Sequence, residues 1–117
     1  MMGNAMVDLH VPVVKTSSSV LAMRQDEVAR WEPSPCIRCG RCVRACPSFL
    51  VPAMMGKAAD AGDLPTFEAL NGMECIECGC CTYVCPAKRR LTQSFKFAKN
   101  AVNAARRRAK ASADAKK

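Results

Sequence analysis

Residues 36–47 read C-I-R-C-G-R-C-V-R-A-C-P, and residues 75–86 read C-I-E-C-G-C-C-T-Y-V-C-P. Aligned at an offset of 39, the two stretches share seven of twelve residues: four cysteines, Ile37 with Ile76, Gly40 with Gly79, and Pro47 with Pro86. A match of that density at one offset marks an internal duplication. Each copy has the spacing C-x2-C-x2-C-x3-C-P, and eight of the nine cysteines fall on it.

This spacing is that of bacterial-type iron–sulfur runs, so two 4Fe-4S clusters are expected. A cubane presents four irons, and each wants one soft thiolate. Three cysteines at two-residue gaps wrap one face, but the chain then leaves before it reaches the fourth iron, which the opposite motif must serve. Carried over residue by residue, the pattern assigns Cys36, Cys39, Cys42 and Cys85 to cluster I, and Cys75, Cys78, Cys81 and Cys46 to cluster II. Gly40 and Gly79 remove a Cβ where backbone must pass close to a cluster. Pro47 and Pro86 fix φ and help to turn the chain away after the fourth cysteine.

Zinc is the main rival, since paired C-x2-C units are common zinc ligands, but a third and fourth Cys in this duplicated spacing fit iron–sulfur better. Disulfides fit less well, because they belong to oxidising compartments and the first residues do not read as a secretory leader. Cys80 has no slot in the pattern and reads as a small apolar filler rather than a redox handle. His10, the lone histidine, has no ligand set around it and reads as a surface or packing residue.

At 117 residues the chain makes one small domain. Leu, Ile, Val and Phe together number 22, a thin supply for a core, so the clusters are expected to be structural as well as functional. Formal charge is +8 with thiols neutral. Two oxidised clusters with their thiolates lower it to about +4, which is still basic. No run is long and apolar enough to span a bilayer.

Outside the motifs the reading is mainly α. Val11 to Lys15 and Val20 to Met23, separated by a Thr-Ser turn, form at best a short, poorly supported N-terminal hairpin. Asp26 to Trp31 makes a turn of helix, and Trp31 is expected to cover a cluster. Between the motifs, Val51 to Ala61 and Leu64 to Leu70 read as helices, the first with Pro52 in its first turn. The second has Asp63 as N-cap and closes at Asn71-Gly72. Met54, Met55, Leu64, Phe67 and Leu70 then form an apolar lid over the clusters. After the second motif, Leu91, Phe95, Ala98, Val102 and Ala105 recur at helical spacing. Eleven of eighteen basic residues lie in 88–117, against the single acid Asp114. The apolar stripe is expected to pack on its own domain, with a partner or membrane surface as the alternative. No aromatic stacking platform accompanies the charge, so no nucleic acid is expected. Residues 109–117 should fray.

The two motifs differ in their filler residues. Arg38, Arg41 and Arg44 surround the first, whereas Glu74 and Glu77 flank the second. Positive charge favours the reduced cluster, so cluster I is expected to have the higher reduction potential. The arginines also suit acidic carriers such as ferredoxins or flavodoxins as partners.

The run C-I-R-C-G-R-C-V-R-A-C-P-S-F-L-V-P, followed by M-E-C-I-E-C-G-C-C-T-Y-V-C-P-A-K-R-R-L-T-Q-S-F-K-F-A-K, resembles the C-terminal dicluster ferredoxin domain of RnfC, a peripheral component of Rnf electron-transport complexes. The opening M-M-G-N-A-M-V-D-L-H-V-P-V-V-K-T-S-S-S-V-L resembles the end of the domain that precedes it there. In that family a longer flavin- and NADH-binding region comes first, and it has no counterpart here, so neither ligand is carried over. Met1 accordingly reads as an internal methionine of a truncated or split chain. The resemblance implies a remnant plus linker over 1–31, an α-helical two-cluster ferredoxin domain over 32–105, and a basic flexible tail over 106–117. It implies electron transfer within an ion-translocating ferredoxin:NAD oxidoreductase, with other Rnf subunits as partners. The implied location is peripheral, at the cytoplasmic face of the bacterial inner membrane. Alternatives are a relay module of a succinate dehydrogenase-like or heterodisulfide reductase-like enzyme, or a non-redox module stapled by metal. No catalytic acid, base or nucleophile is legible, so the chain reads as the electron-carrying part of an oxidoreductase or translocase complex, without catalytic residues of its own.

A structural role for the clusters makes a direct prediction. Chelated and oxidised, the chain should lose most of its helical circular dichroism, and full retention would contradict that role.

Overall fold

The computed structural model describes residues 6, 8–15, 17–22, 24–25 and 30–114. Within them the fold is helical: α1 (Arg41–Arg44), α2 (Pro52–Asp60), α3 (Leu64–Ala69), a 3-10 turn at Gly72–Glu74, α4 (Cys80–Tyr83) and α5 (Leu91–Asp114). The duplication governs the backbone well beyond the cysteines. Residues 39 apart share unusual conformations: Arg38 and Glu77 at φ 55 and 58, Gly40 and Gly79 at 71 and 83, Phe49 and Lys88 at 53 and 52. Left-handed backbone at a non-glycine residue costs about 1–3 kcal/mol, so four such residues in matched pairs mark a cage whose shape outweighs local preference. The helix after each motif also begins at matched positions, α2 at Pro52 and α5 at Leu91.

Local chemistry sets the helix ends. Pro52 opens α2, where its missing N–H costs nothing. Asp63 Oδ1 accepts from Thr66 N at 3.1 Å and caps α3, with Pro65 in the first turn. Asn71 at φ 56 then turns the chain, as its short polar side chain allows.

The core lies where α2, α3 and α5 meet. Met55, Phe67, Leu91, Phe95 and Ala98 are all buried there, and the Phe67 and Phe95 rings sit 6.1 Å apart, tilted by 40°. Of the expected apolar lid, Met55 and Phe67 are fully buried and Leu64 and Leu70 half-buried, but Met54 is 53% exposed because it projects from the outer side of α2. Along α5 the stripe Leu91, Phe95, Ala98 and Val102 is buried, whereas Ala105 is exposed. Length explains this: at 1.5 Å per residue α5 is about 36 Å long and α2 about 14 Å. The outer turns overhang, tethered by an Arg106–Glu68 ion pair. Helix continues to Asp114, into the segment expected to fray, because its alanines, lysines and arginines are strong helix formers.

The N-terminal expectation needs correction. No strand forms among the described residues, and each described residue from 6 to 25 is exposed. Among the described residues local turns remain, one of them with Ser17 N donating to Val14 O at 2.9 Å. A two-stranded hairpin is marginal without a surface to pack on, and the described residues of this segment are not packed on one. The helical turn expected at Asp26 to Trp31 falls largely outside the described residues.

Gly72 is the tightest point of the core. A Cβ there would lie 2.4 Å from Cε1 of Phe67, a ring that is itself fully buried. Gly72→Ala should therefore destabilise the fold by about 1–3 kcal/mol, read as a lower thermal midpoint in circular dichroism. An unchanged midpoint would mean that the ring has room to move.

Candidate metal centres

None of the nine cysteines is in a disulfide. In each motif the left-handed glycine starts a single turn of helix, α1 or α4, and the fourth cysteine follows as that turn ends. Cys46 N donates to Val43 O at 3.2 Å and Cys85 N to Thr82 O at 3.3 Å. Phe49 N and Lys88 N then close matching turns on Cys46 O and Cys85 O. The two turns, α1 and α4, lie against each other, so each motif ends beside the start of its twin.

Two cavities result. One is lined by Cys36, Cys39, Cys42 and Cys85, and the other by Cys75, Cys78, Cys81 and Cys46. They enclose about 380 and 340 Å³ of atom-free space, part of it continuous with solvent. Each thus takes three cysteines from one motif and one from the other. Four soft donors around each of two spaces of similar size fit a pair of cubanes. Among the described residues no group of three or more His, Cys, Asp or Glu side chains is gathered around a single-ion position.

The surroundings differ between the copies. Arg38 and Arg89 border the first cavity, and Arg89 is paired with Asp60. Glu77 borders the second, but Lys99 Nζ reaches it at 2.9 Å and also donates to Cys75 O at 2.8 Å. The charge contrast expected from sequence is therefore narrowed by partners from α2 and α5. Apolar Leu50, Met55 and Phe95 close the second cavity. Burial pushes the thiols of Cys42, Cys75 and Cys81 up, with a hydrogen bond from Thr92 opposing it at Cys81. Since the thiolate is the ligating form, metal must displace those protons.

Other singled-out residues lie apart from the cavities. Cys80 is exposed rather than a core filler, and a hydrogen bond with Cys78 raises its thiol. His10 is on the surface. Trp31 borders neither cavity: it is 39% exposed, with Lys88 Nζ 3.7 Å from its ring centroid. Together with Arg41, Arg44, Tyr83 and Lys88 it lines an open groove that shares Cys85 with the first cavity. Sequence reasoning missed this groove, and it missed Thr92 and Lys99, whose partners lie in another element.

Residues 33–89 match the family described as 4Fe-4S dicluster domain. The chain is 47% identical, over 88% of its length, to the C subunit of the ion-translocating oxidoreductase complex of Rhodobacter capsulatus. It is 44% identical over 95% of its length to the C subunit of the proton-translocating ferredoxin:NAD(+) oxidoreductase complex of Clostridium ljungdahlii. A third relative, the C subunit of the Na(+)-translocating ferredoxin:NAD(+) oxidoreductase complex of Acetobacterium woodii, is 41% identical over 92%. The chain spans 20%, 24% and 24% of those relatives' lengths, respectively.

Lys99 is the strap on the second motif. Lys99→Met should speed amide hydrogen exchange through Ile76–Cys78 by about tenfold, as loss of a charged hydrogen bond implies, and leave Ile37–Cys39 unaffected. Equal change in both loops would refute a local strap.

Proposed function

We propose, because residues 33–89 match the family described as 4Fe-4S dicluster domain, that Cys36, Cys39, Cys42 and Cys85 hold one cluster and Cys75, Cys78, Cys81 and Cys46 the other. The pair relays electrons for an Rnf-type ferredoxin:NAD oxidoreductase complex. The observation that carries the ligand sets is the lining of the two cavities, three cysteines from one motif and the fourth from its twin. When bound, each cluster supplies one-electron redox chemistry. The chain's own residues fix the thiolates on a strained, duplicated backbone, exclude water from the second cavity with Leu50, Met55 and Phe95, and set local charge through Arg38, Arg89, Glu77 and Lys99.

The relay unit is residues 32–105. A hydrogen bond from Ser34 N to Ala87 O at 3.0 Å ties its entry to the end of the second motif. Residues 1–31 lead in from a preceding domain, and 106–117 form a basic tail. No helix among the described residues is long and apolar enough to cross a membrane. Contact with the cytoplasmic face of the membrane, in this reading, is peripheral and made through other Rnf subunits. The groove of Arg41, Arg44, Lys88, Trp31 and Tyr83 offers three cations and two aromatics beside Cys85. Its charge suits an acidic ferredoxin or flavodoxin, which would exchange electrons with the Cys36 cluster.

Iron counting on anaerobically reconstituted variants tests the crossed ligand sets. The parent chain should hold about eight irons, and Cys36→Ala or Cys85→Ala about four. If Cys36 and Cys85 share a cluster, the double variant loses no more than either single one, whereas Cys75→Ala with Cys85→Ala empties both. The reverse pattern would overturn the assignment.

A further inference from the structure

The two hydroxyls of Thr82 and Thr92 lie 2.8 Å apart, and Thr92 Oγ1 lies 3.9 Å from Cys81 Sγ. Thr92 is the second residue of α5, so its N–H has no acceptor within the helix. Thr82 Oγ1 provides one, at 3.0 Å. With Cys81 as a thiolate, which can only accept, Thr92 donates its hydrogen to the sulfur and Thr82 donates its own to Thr92 Oγ1. Thr92 is itself buried, at 8% exposed. A ligating thiolate accepts and cannot donate, so this direction alone gives every member of the chain a partner.

The duplication supplies an internal control. At an offset of 39, Thr82 corresponds to Val43 and Thr92 to Ala53. Ala53 is the second residue of α2, as Thr92 is of α5, and each borders its own cavity. Backbone and position are repeated, but the hydroxyls are present in the second copy alone.

We infer that Thr92, oriented by Thr82, is a hydrogen-bond donor to the Cys81 thiolate that raises the reduction potential of the Cys75 cluster and has no equivalent at the Cys36 cluster. The inference rests on the proposed ligand sets. Reduction adds one electron to the cluster and no proton leaves Thr92. The extra negative charge spreads to the ligand sulfurs, and a donor aimed at one of them stabilises the reduced form more than the oxidised. Thr92 acts on the cluster only through Cys81.

The test is a dithionite titration of the reconstituted chain followed by electron paramagnetic resonance. Thr92→Val keeps the shape and removes the donor, and should lower one of the two potentials, with a reduction equilibrium about tenfold less favourable, equal to about 59 mV for one electron. Thr92→Ser should restore it, and the second potential should stay fixed in both. In the unsubstituted protein exchanged into D2O, pulsed double resonance should detect an exchangeable hydrogen coupled to one reduced cluster, absent in Thr92→Val. Full iron content with both potentials unmoved would overturn the inference. Should Thr92→Val fail to take up iron, the absence of that coupling in the unsubstituted protein would overturn it instead. An unsubstituted chain that takes up no iron or sulfide would defeat the underlying cluster reading as well.

Discussion

The crossing of one cysteine from each motif into the cavity of the other is the constraint on which the fold depends. Neither motif can complete its own set of four, because after the third cysteine a turn of helix carries the fourth away. Cys46 and Cys85 therefore find their places only when α1 and α4 lie side by side. This requirement explains why the chain accepts left-handed backbone at Arg38, Glu77, Phe49 and Lys88. Conformations that cost about 1–3 kcal/mol each persist when the surroundings over-determine them, and matched placement at one offset shows that the same demand acts twice.

Around this centre the apolar core is small, and α5 holds much of it together. Leu91 and Phe95 pack on α2 and α3, Thr92 reaches the turn that carries Cys81, and Lys99 fastens the loop that carries Cys75 and Glu77. One helix thus supplies apolar cover, a hydroxyl and a cation to a single cavity. The first cavity has fewer such attachments: Cys36 and Cys39 are exposed, and its neighbours Arg38 and Arg89 are cationic. The cysteines of the second copy are consequently the more deeply buried set.

Local chemistry was legible in the sequence wherever its cause was local. The cysteine spacing, the Asp63 cap with Pro65, Pro52 at the start of α2 and the stripe from Leu91 to Val102 could all be read from neighbouring residues. Where the cause was tertiary, the reading fell short. Ala105 keeps the helical spacing yet has nothing to pack on, because α2 is short. Val11 to Lys15 and Val20 to Met23 have strand-like composition without a sheet to join. Glu77 looked like a bare charge until Lys99, 22 residues on in the chain, was placed beside it. Cys80 resembled a filler, but the glycine before it starts a turn that faces it outward.

The matched helix starts at Pro52 and Leu91 make the molecule two sockets of one casting, fitted with different linings. Where Val43 is the counterpart of Thr82, and Ala53 of Thr92, the scaffold carries both versions of the same corner. Side chains at those corners can therefore be traded between halves to change the electrical character of a socket while its mould stays as it is, a separation that a cage assembled from unrelated loops would not permit.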